Sequence, residues 1–134
     1  MSNPKCNHFD KRTLQYIQES LVIAADFHKD EVRKVSGLPY IMHPIEIALE
    51  EIEEENHPHW KSLLVYILLD TLESHPSRFR EIFEIVPLDV FCRIVKLSKL
   101  SPAIRTEIQE FLFDHIATLP EDEIHKYAYI FQML

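Results

Sequence analysis

The stretch Leu63-Leu64-Val65-Tyr66-Ile67-Leu68-Leu69-Asp70 decides the fold class. Seven apolar residues in succession, followed directly by a carboxylate, predict a helix that is apolar on all sides and therefore lies at the centre of a bundle. The flanking segments His57-Pro58-His59 and His75-Pro76-Ser77 confine this helix to about residues 59–74. A bilayer requires roughly 20 apolar residues, so the run does not indicate a membrane span.

The rest of the chain supports an all-α fold. The sequence has 1 glycine and 8 prolines among its 134 residues. Hairpins and glycine-rich nucleotide loops both need several glycines, so an all-β fold, a P-loop and a dinucleotide fingerprint are excluded. The segments between the prolines have helical spacing and predict six or seven helices. Besides 59–74, these are 13–28, one starting at His43-Pro44, 78–85, one opened by Pro87, 102–118 and 121–133.

Apolar spacing also predicts which side chains face the core. The first helix, with Asp10 or Thr13 as its cap, has one stripe formed by Leu14, Ile17, Leu21, Ala24 and Ala25. The helix after Pro87 is expected to bury Val90, Phe91, Ile94, Val95 and Leu97.

Length and charge limit the function classes. We expect a single domain over residues 1–134, with 1–9 as a flexible N-terminal tail. The formal net charge of −8 argues against a partner that is nucleic acid or an anionic membrane. Two cysteines, Cys6 and Cys92, do not make a disulfide framework, and the N-terminus has no apolar core of a secretory signal. A cytoplasmic location is therefore expected.

Four segments contain the candidate functional side chains. Asp70 and Glu73 are three apart and share a helix face, where they could meet a metal, a water or a basic partner, or simply be solvated at the helix end. His43 opens a helix. His57-Pro58-His59 has poor chelating geometry and predicts a surface loop, and His125, in an acidic helix start, is expected to be exposed.

The segment AADFHKDEVRKVSGLPYIMHPIEIA (24–48) resembles the opening of the HD-domain phosphohydrolases of the RelA/SpoT type. That family has an Ala-His, an Arg-Lys pair, Ser-Gly-x-Pro-Tyr and His-Pro in this order and spacing. Its next motif, an apolar helix that ends in His-Asp and continues to Glu-Asp, is similar to Ile67-Leu68-Leu69-Asp70-Thr71-Leu72-Glu73-Ser74. The resemblance covers about residues 15–100, including a Thr-Lys-Leu-like turn matched by Val95-Lys96-Leu97.

The resemblance implies a helical domain that holds one divalent metal, usually manganese, and hydrolyses the 3′-pyrophosphate of ppGpp. It implies that His43 and Asp70 are metal ligands and lie close together. It also implies that Glu73 belongs to the pair that positions the attacking water. Arg33, Lys34 and Tyr40 are implied to face the guanine nucleotide.

The departures from the family pattern concern the same site. Leu69 replaces the histidine of His-Asp, and Ser74 replaces the second member of Glu-Asp. The late aspartate ligand is best placed at Tyr129, although Asp114 or Asp122 could be argued instead. Leucine cannot donate to a metal, so we expect no tightly bound cofactor and a vestigial Glu73. Leu69 is expected to close over the former metal position as a core residue.

Two functions follow from this comparison. The first is a degenerate RelA/SpoT-type HD domain that acts as a non-catalytic binding or regulatory module, with a guanine nucleotide or a protein as its partner. The alternative is a manganese-dependent phosphohydrolase that acts on ppGpp or a related nucleotide. Such an enzyme would need a site rebuilt with His28, His75 or another nearby group.

Overall fold

The computed structural model describes residues 10–31, Gly37, Glu46, Glu50 and 59–133, with side chains as far as Tyr127. Six α-helices lie in this part of the chain, and it contains no strand: α1 (Lys11–Phe27), α2 (Trp60–Ser74), α3 (Phe79–Ile85), α4 (Leu88–Leu97), α5 (Pro102–Ala117) and α6 (Glu121–Met133). A short 3₁₀ helix, Pro76–Arg78, joins α2 to α3. The prediction of an all-α bundle is confirmed, and the predicted helix bounds agree to within two residues.

The predicted central helix is α2. It packs against α1 on one side and against α4 on the other. The side chains of Leu64, Leu68 and Leu72 are fully buried and contribute to a core shared with α3, α4 and α5. Burying a leucine side chain contributes about 1.5–3 kcal/mol, so this line of residues holds the bundle together.

The helices α1 and α2 run in the same direction. Tyr16 stacks on Trp60 near their N-terminal ends, and His28, just after α1, contacts Thr71 near the end of α2. Residues near the start of the two helices therefore share one end of the bundle, and those near their last turns share the other.

Local caps explain where the helices begin and end. The Asp10 side chain accepts from the Thr13 amide at 2.7 Å, which confirms one of the two predicted caps of α1. His59 caps α2 through the Lys61 amide, and Ser101 caps α5 through the Ile104 amide. The exposed His59 agrees with a surface position for that residue, and His125 is exposed as predicted.

Three residues that the apolar spacing predicted to face the core are exposed. Leu14 and Ala25 are exposed, because two small polar residues, Thr13 and Ser20, occupy the buried face of α1 together with Ala24 and Phe27. Apolar spacing alone therefore places the buried stripe of α1 about one residue away from its position in the structure. Leu97 is also exposed, as the last residue of α4, because periodicity does not show where packing against the neighbouring helices stops.

Leu69 is half-buried and is not one of the core residues. Residues three and four apart lie on one helix face, so Leu69 shares the outer face of α2 with the exposed Tyr66 and the half-buried Glu73. The expectation that Leu69 is a core residue is therefore wrong.

Two further positions bear on the segment between α1 and α2. Gly37 has a φ of +70°, a conformation that L side chains rarely adopt, which agrees with the predicted loop at this glycine. Glu46 and Glu50 are helical, in agreement with the second predicted helix at those two positions. Over the described residues, no helix combines the length and the apolar character needed to cross a bilayer.

Candidate functional site

A carboxylate between two histidines joins the end of α1 to the end of α2. Glu31 Oε2 lies 3.0 Å from His28 Nδ1, and Glu31 Oε1 lies 2.9 Å from His75 Nε2. His28 follows α1 directly, whereas His75 caps the end of α2. We call this set of three side chains the His–Glu–His bridge. It holds the chain at Glu31 against the end of the central helix.

His28 is the buried member of the His–Glu–His bridge. Its side chain has no exposed surface, and its Nε2 lies 3.3 Å from Thr71 Oγ1, which itself lies 3.3 Å from the Ile67 carbonyl oxygen. A neutral His28 donates to Glu31 and accepts from Thr71. A protonated His28 donates to both, and Thr71 then donates to Ile67. Both ring nitrogens are thus satisfied in either state.

The electrostatics of Glu31 follow from these contacts. Partial burial acts to raise the pKa of its carboxyl group, but the hydrogen bonds and charges of His28 and His75 outweigh burial and lower the pKa below its ordinary value of 4.5. Glu31 is therefore an anion at neutral pH and accepts hydrogen bonds through both oxygens. The side chain of His75 is 38% exposed, so the His–Glu–His bridge reaches the surface at this residue.

Arg78 extends the polar contacts beyond the His–Glu–His bridge. Its guanidinium donates to Asp26 at 2.7 Å and to Glu81 at 2.6 and 3.0 Å, and it lies 3.8 Å from the centroid of the Phe27 ring. The hydrogen bonds from Arg78 lower the pKa of Asp26 and of Glu81. The edge of Phe27 in turn meets His75, with ring centroids 5.7 Å apart. Arg78 therefore contacts Phe27, which in turn contacts His75, the partly exposed member of the His–Glu–His bridge.

Three polar residues follow the apolar run of α2. Asp70 and Glu73 are half-buried, and Ser74 is exposed. Glu73 Oε1 accepts a hydrogen bond from the Lys99 backbone amide at 2.8 Å. This contact joins the last turn of α2 to the segment after α4. Glu73 thus has a structural partner of its own, which the sequence did not indicate.

Several predicted site residues lie outside the described residues. His43, Arg33, Lys34 and Tyr40 are among them, so the predicted proximity of His43 to Asp70 stays a prediction. Tyr129 lies within α6, and its side chain is outside the described part. Among the side chains that are described, no group of three or more histidine, cysteine, aspartate or glutamate residues could hold a metal ion.

Sequence reasoning singled out His28 and His75 but not Glu31. Only part of the signal was present in the sequence. His28 and Glu31 are three apart, which places them within reach of each other at the end of a helix. The contact of Glu31 with His75 spans 44 residues and depends on how α1 packs against α2.

Comparison with curated proteins links part of the chain to the RelA/SpoT family. RSH1 of Arabidopsis thaliana, a chloroplastic protein named as a GTP diphosphokinase, is 32% identical over 72 residues, which are 52% of this chain and 8% of that protein. Its namesake in Oryza sativa is 31% identical over 70 residues. A guanosine-3′,5′-bis(diphosphate) 3′-pyrophosphohydrolase of Spiroplasma citri is 30% identical over 92 residues, 69% of this chain and 12% of that protein.

These matches cover only a small part of the relatives. The matched segment spans about a tenth of the length of each. No family model matches the chain, and no solved structure matches it either.

Proposed function

We propose that the chain is a degenerate RelA/SpoT-type HD domain that binds a guanine nucleotide or a protein partner and does not hydrolyse the nucleotide. Two facts taken together support this proposal. The chain is similar to a ppGpp 3′-pyrophosphohydrolase over 92 residues, yet Leu69 stands where the family's motif has a histidine.

The chemistry of the altered positions supports the loss of hydrolysis. In this proposal His43 and Asp70 are what remains of a manganese site, and Leu69 and Tyr129 mark its lost ligands. Removing even an indirect partner of a metal typically costs 10- to 100-fold in affinity, so two lost ligands should cost roughly 10²- to 10⁴-fold. A weakly held metal supplies little activated water.

The state of Glu73 supports the same proposal. A carboxylate that positions an attacking water must present an oxygen to that water. Here one oxygen of Glu73 accepts from the Lys99 amide, which gives the side chain a role in holding α2 to the chain after α4. We infer that Glu73 is retained for structure through this bond. That it is vestigial for catalysis rests on Ser74, which stands where the family's motif has the second carboxylate of the pair.

Nucleotide binding is tested by equilibrium dialysis with labelled ppGpp, alongside an assay of pyrophosphate release in the presence of manganese. We expect saturable binding without release. The double variant Arg33→Gln with Lys34→Gln should lose binding. Lys29→Gln is the matched control, because Lys29 is an exposed lysine close by in the chain. Pyrophosphate release by the wild-type protein, or binding that is unchanged in the double variant, would contradict this proposal.

One observation favours the alternative, a phosphohydrolase with a rebuilt site. His75 is partly exposed and is oriented by Glu31, which is itself held by the buried His28. A histidine oriented by a carboxylate is a common general base. If this candidate is correct, pyrophosphate release occurs and His75→Gln abolishes it, whereas nucleotide binding in the dialysis experiment is retained. Release that persists in His75→Gln would exclude His75 as the base.

A further inference from the structure

The side of α1 that faces away from the core is apolar and exposed. The buried side chains of α1 are those of Thr13, Ser20, Ala24 and Phe27. On the opposite side, at helical spacing, lies a set that we call the outer α1 face: Leu14, Gln18, Leu21, Val22 and Ala25. Leu14 is 51% exposed and Val22 is 63% exposed. A helix at the surface usually presents polar side chains on this side, so the outer α1 face has the composition of a contact surface.

Charges lie at the two ends of the outer α1 face and not along its middle. Lys11 lies at one end and Asp26 at the other, with the uncharged Gln18 halfway between them. Lys11 is exposed and forms no ion pair with any residue that the structure describes. Glu19, at the edge of the face, is half-buried and accepts a hydrogen bond from Gln15 at 3.2 Å. An apolar centre depleted of charge is typical of the core of a protein–protein interface.

The end charges determine how two copies of the outer α1 face can pair. In a parallel pair, Lys11 would face Lys11 of the second copy, and the two like charges would repel each other. In an antiparallel pair with its twofold axis near Gln18, Lys11 faces Asp26 of the second copy at both ends. Asp26 Oδ2 accepts from Arg78, but Oδ1 is held only by the exposed Lys29, at 3.9 Å. Asp26 can therefore take a further cation, and the charges favour the antiparallel pair.

We propose that the outer α1 face joins two copies of this chain in an antiparallel dimer. Leu14 packs against Val22 of the second copy, Gln18 meets Gln18 at the twofold axis, and Lys11 pairs with Asp26 at both ends. From Lys11 to Asp26 is 15 residues of helix, so the contact is about 22 Å long. One helix face of this length makes an interface at the small end of the range for specific complexes, so the dimer dissociates on dilution. The dimer does not depend on the proposed nucleotide-facing residues or metal site.

Sedimentation velocity over a range of protein concentrations tests for the dimer. We expect monomer at low micromolar protein and dimer as the concentration approaches millimolar. Val22→Lys places a charge in the apolar centre of the contact and should weaken dimerisation at least about tenfold. Leu97→Lys is the matched control, because Leu97 is an apolar residue that is 55% exposed at the end of α4. It should dimerise as the wild-type protein does. Both positions are exposed, so neither variant removes a core side chain.

Cysteine cross-linking tests the antiparallel arrangement, in a Cys6→Ser background that retains the buried Cys92. On mild oxidation, Gln18→Cys should form a disulfide-linked dimer with itself. Leu14→Cys and Val22→Cys should cross-link to each other in a mixture, and neither should cross-link to itself.

The proposal is overturned if the wild-type protein stays monomeric near millimolar concentration, which is the result expected if another segment of this chain covers the outer α1 face. It is also overturned if Val22→Lys dimerises as tightly as wild type does. Cross-linking of Leu14→Cys to itself and not to Val22→Cys would overturn it as well, because that result indicates a parallel pair.

Discussion

At the scale of single residues, neighbouring positions on α2 have opposite environments. Leu68 is fully buried, whereas Leu69 is half-buried and shares a helix face with Tyr66 and Glu73. The apolar run predicted the helix correctly, but it did not show which of its leucines faces outward. Burial is decided by the neighbours of a side chain, and those come from other elements. Leu69 therefore lies at the edge of the core.

The first prediction compares these two leucines. Leu68→Ala removes a fully buried side chain and should lower the free energy of unfolding by about 2–5 kcal/mol. Leu69→Ala should cost less than half as much, because less apolar area leaves water on folding. Urea unfolding of both variants measures the difference. Equal losses would show that Leu69 is packed as tightly as Leu68.

The second prediction concerns Glu31. Glu31→Gln keeps the size of the side chain but replaces one carboxylate oxygen with an amide nitrogen, which then faces a histidine nitrogen. The buried His28 has no solvent that could replace a lost carboxylate acceptor. We expect a loss of about 1–3 kcal/mol of stability. Glu84→Gln is the control, because Glu84 is exposed. Similar unfolding curves for the two variants would mean that the His–Glu–His bridge contributes nothing to stability.

The third prediction is the pH dependence of that contribution. The pKa of Glu31 is lowered by folding, so its stabilising effect is complete above the ordinary value of 4.5 and is lost as the pH falls through the folded value. The stability difference between wild type and Glu31→Gln should therefore shrink below pH 4.5. Urea unfolding at several pH values tests this. A stability difference that grows on acidification would contradict this prediction, because it would mean that folding does not lower the pKa of Glu31.

At the scale of elements, side chains from other segments hold the helix ends in place. Arg105 of α5 donates to the Val95 carbonyl at 3.1 Å and to the Ser98 carbonyl at 2.8 Å. These carbonyls belong to the last turn of α4 and the residue after it, where helices leave acceptors unsatisfied. Glu73 binds the next amide, that of Lys99, from α2. The end of α4 is thus fixed from two sides.

The fourth prediction follows for α4. Arg105→Met keeps an unbranched apolar stem but removes the guanidinium and both hydrogen bonds, and we expect a loss of about 1–3 kcal/mol. Hydrogen exchange should become faster in the last turn of α4. Arg93→Met, an exposed position on α4 itself, is the control and should leave exchange there unchanged. Unchanged exchange in Arg105→Met would show that α4 does not need this cap.

At the scale of the whole molecule, the sequence predicted the fold class and the helices well. The chain has one glycine, too few for the turns of an all-β fold, and eight prolines, which separate the helical segments. Both residue types act on the local backbone, so their effects can be predicted without knowing the tertiary packing. The site was predicted only in part. His28 and His75 were named as groups that could rebuild the site, but the contact of Glu31 with His75 depends on packing between α1 and α2. The partner of Glu73 is the Lys99 amide, and this contact depends on the packing of α2 against α4.

The fifth prediction addresses the proposal that the chain is an HD domain that has lost its metal site. The triple variant Leu69→His, Ser74→Asp and Tyr129→Asp restores the donors that the family resemblance implies, beside His43, Asp70 and Glu73. Chelation needs these donors together, so Leu69→His alone should gain little. Removing a ligand costs affinity, and restoring several should recover it.

The direct measurement is a calorimetric titration of manganese into the wild-type protein and the folded triple variant side by side. The account predicts weak binding to the wild type and binding at least about tenfold tighter to the triple variant. Tight, stoichiometric binding to the wild type, or a folded triple variant that binds no better, would contradict the account of a dismantled metal site.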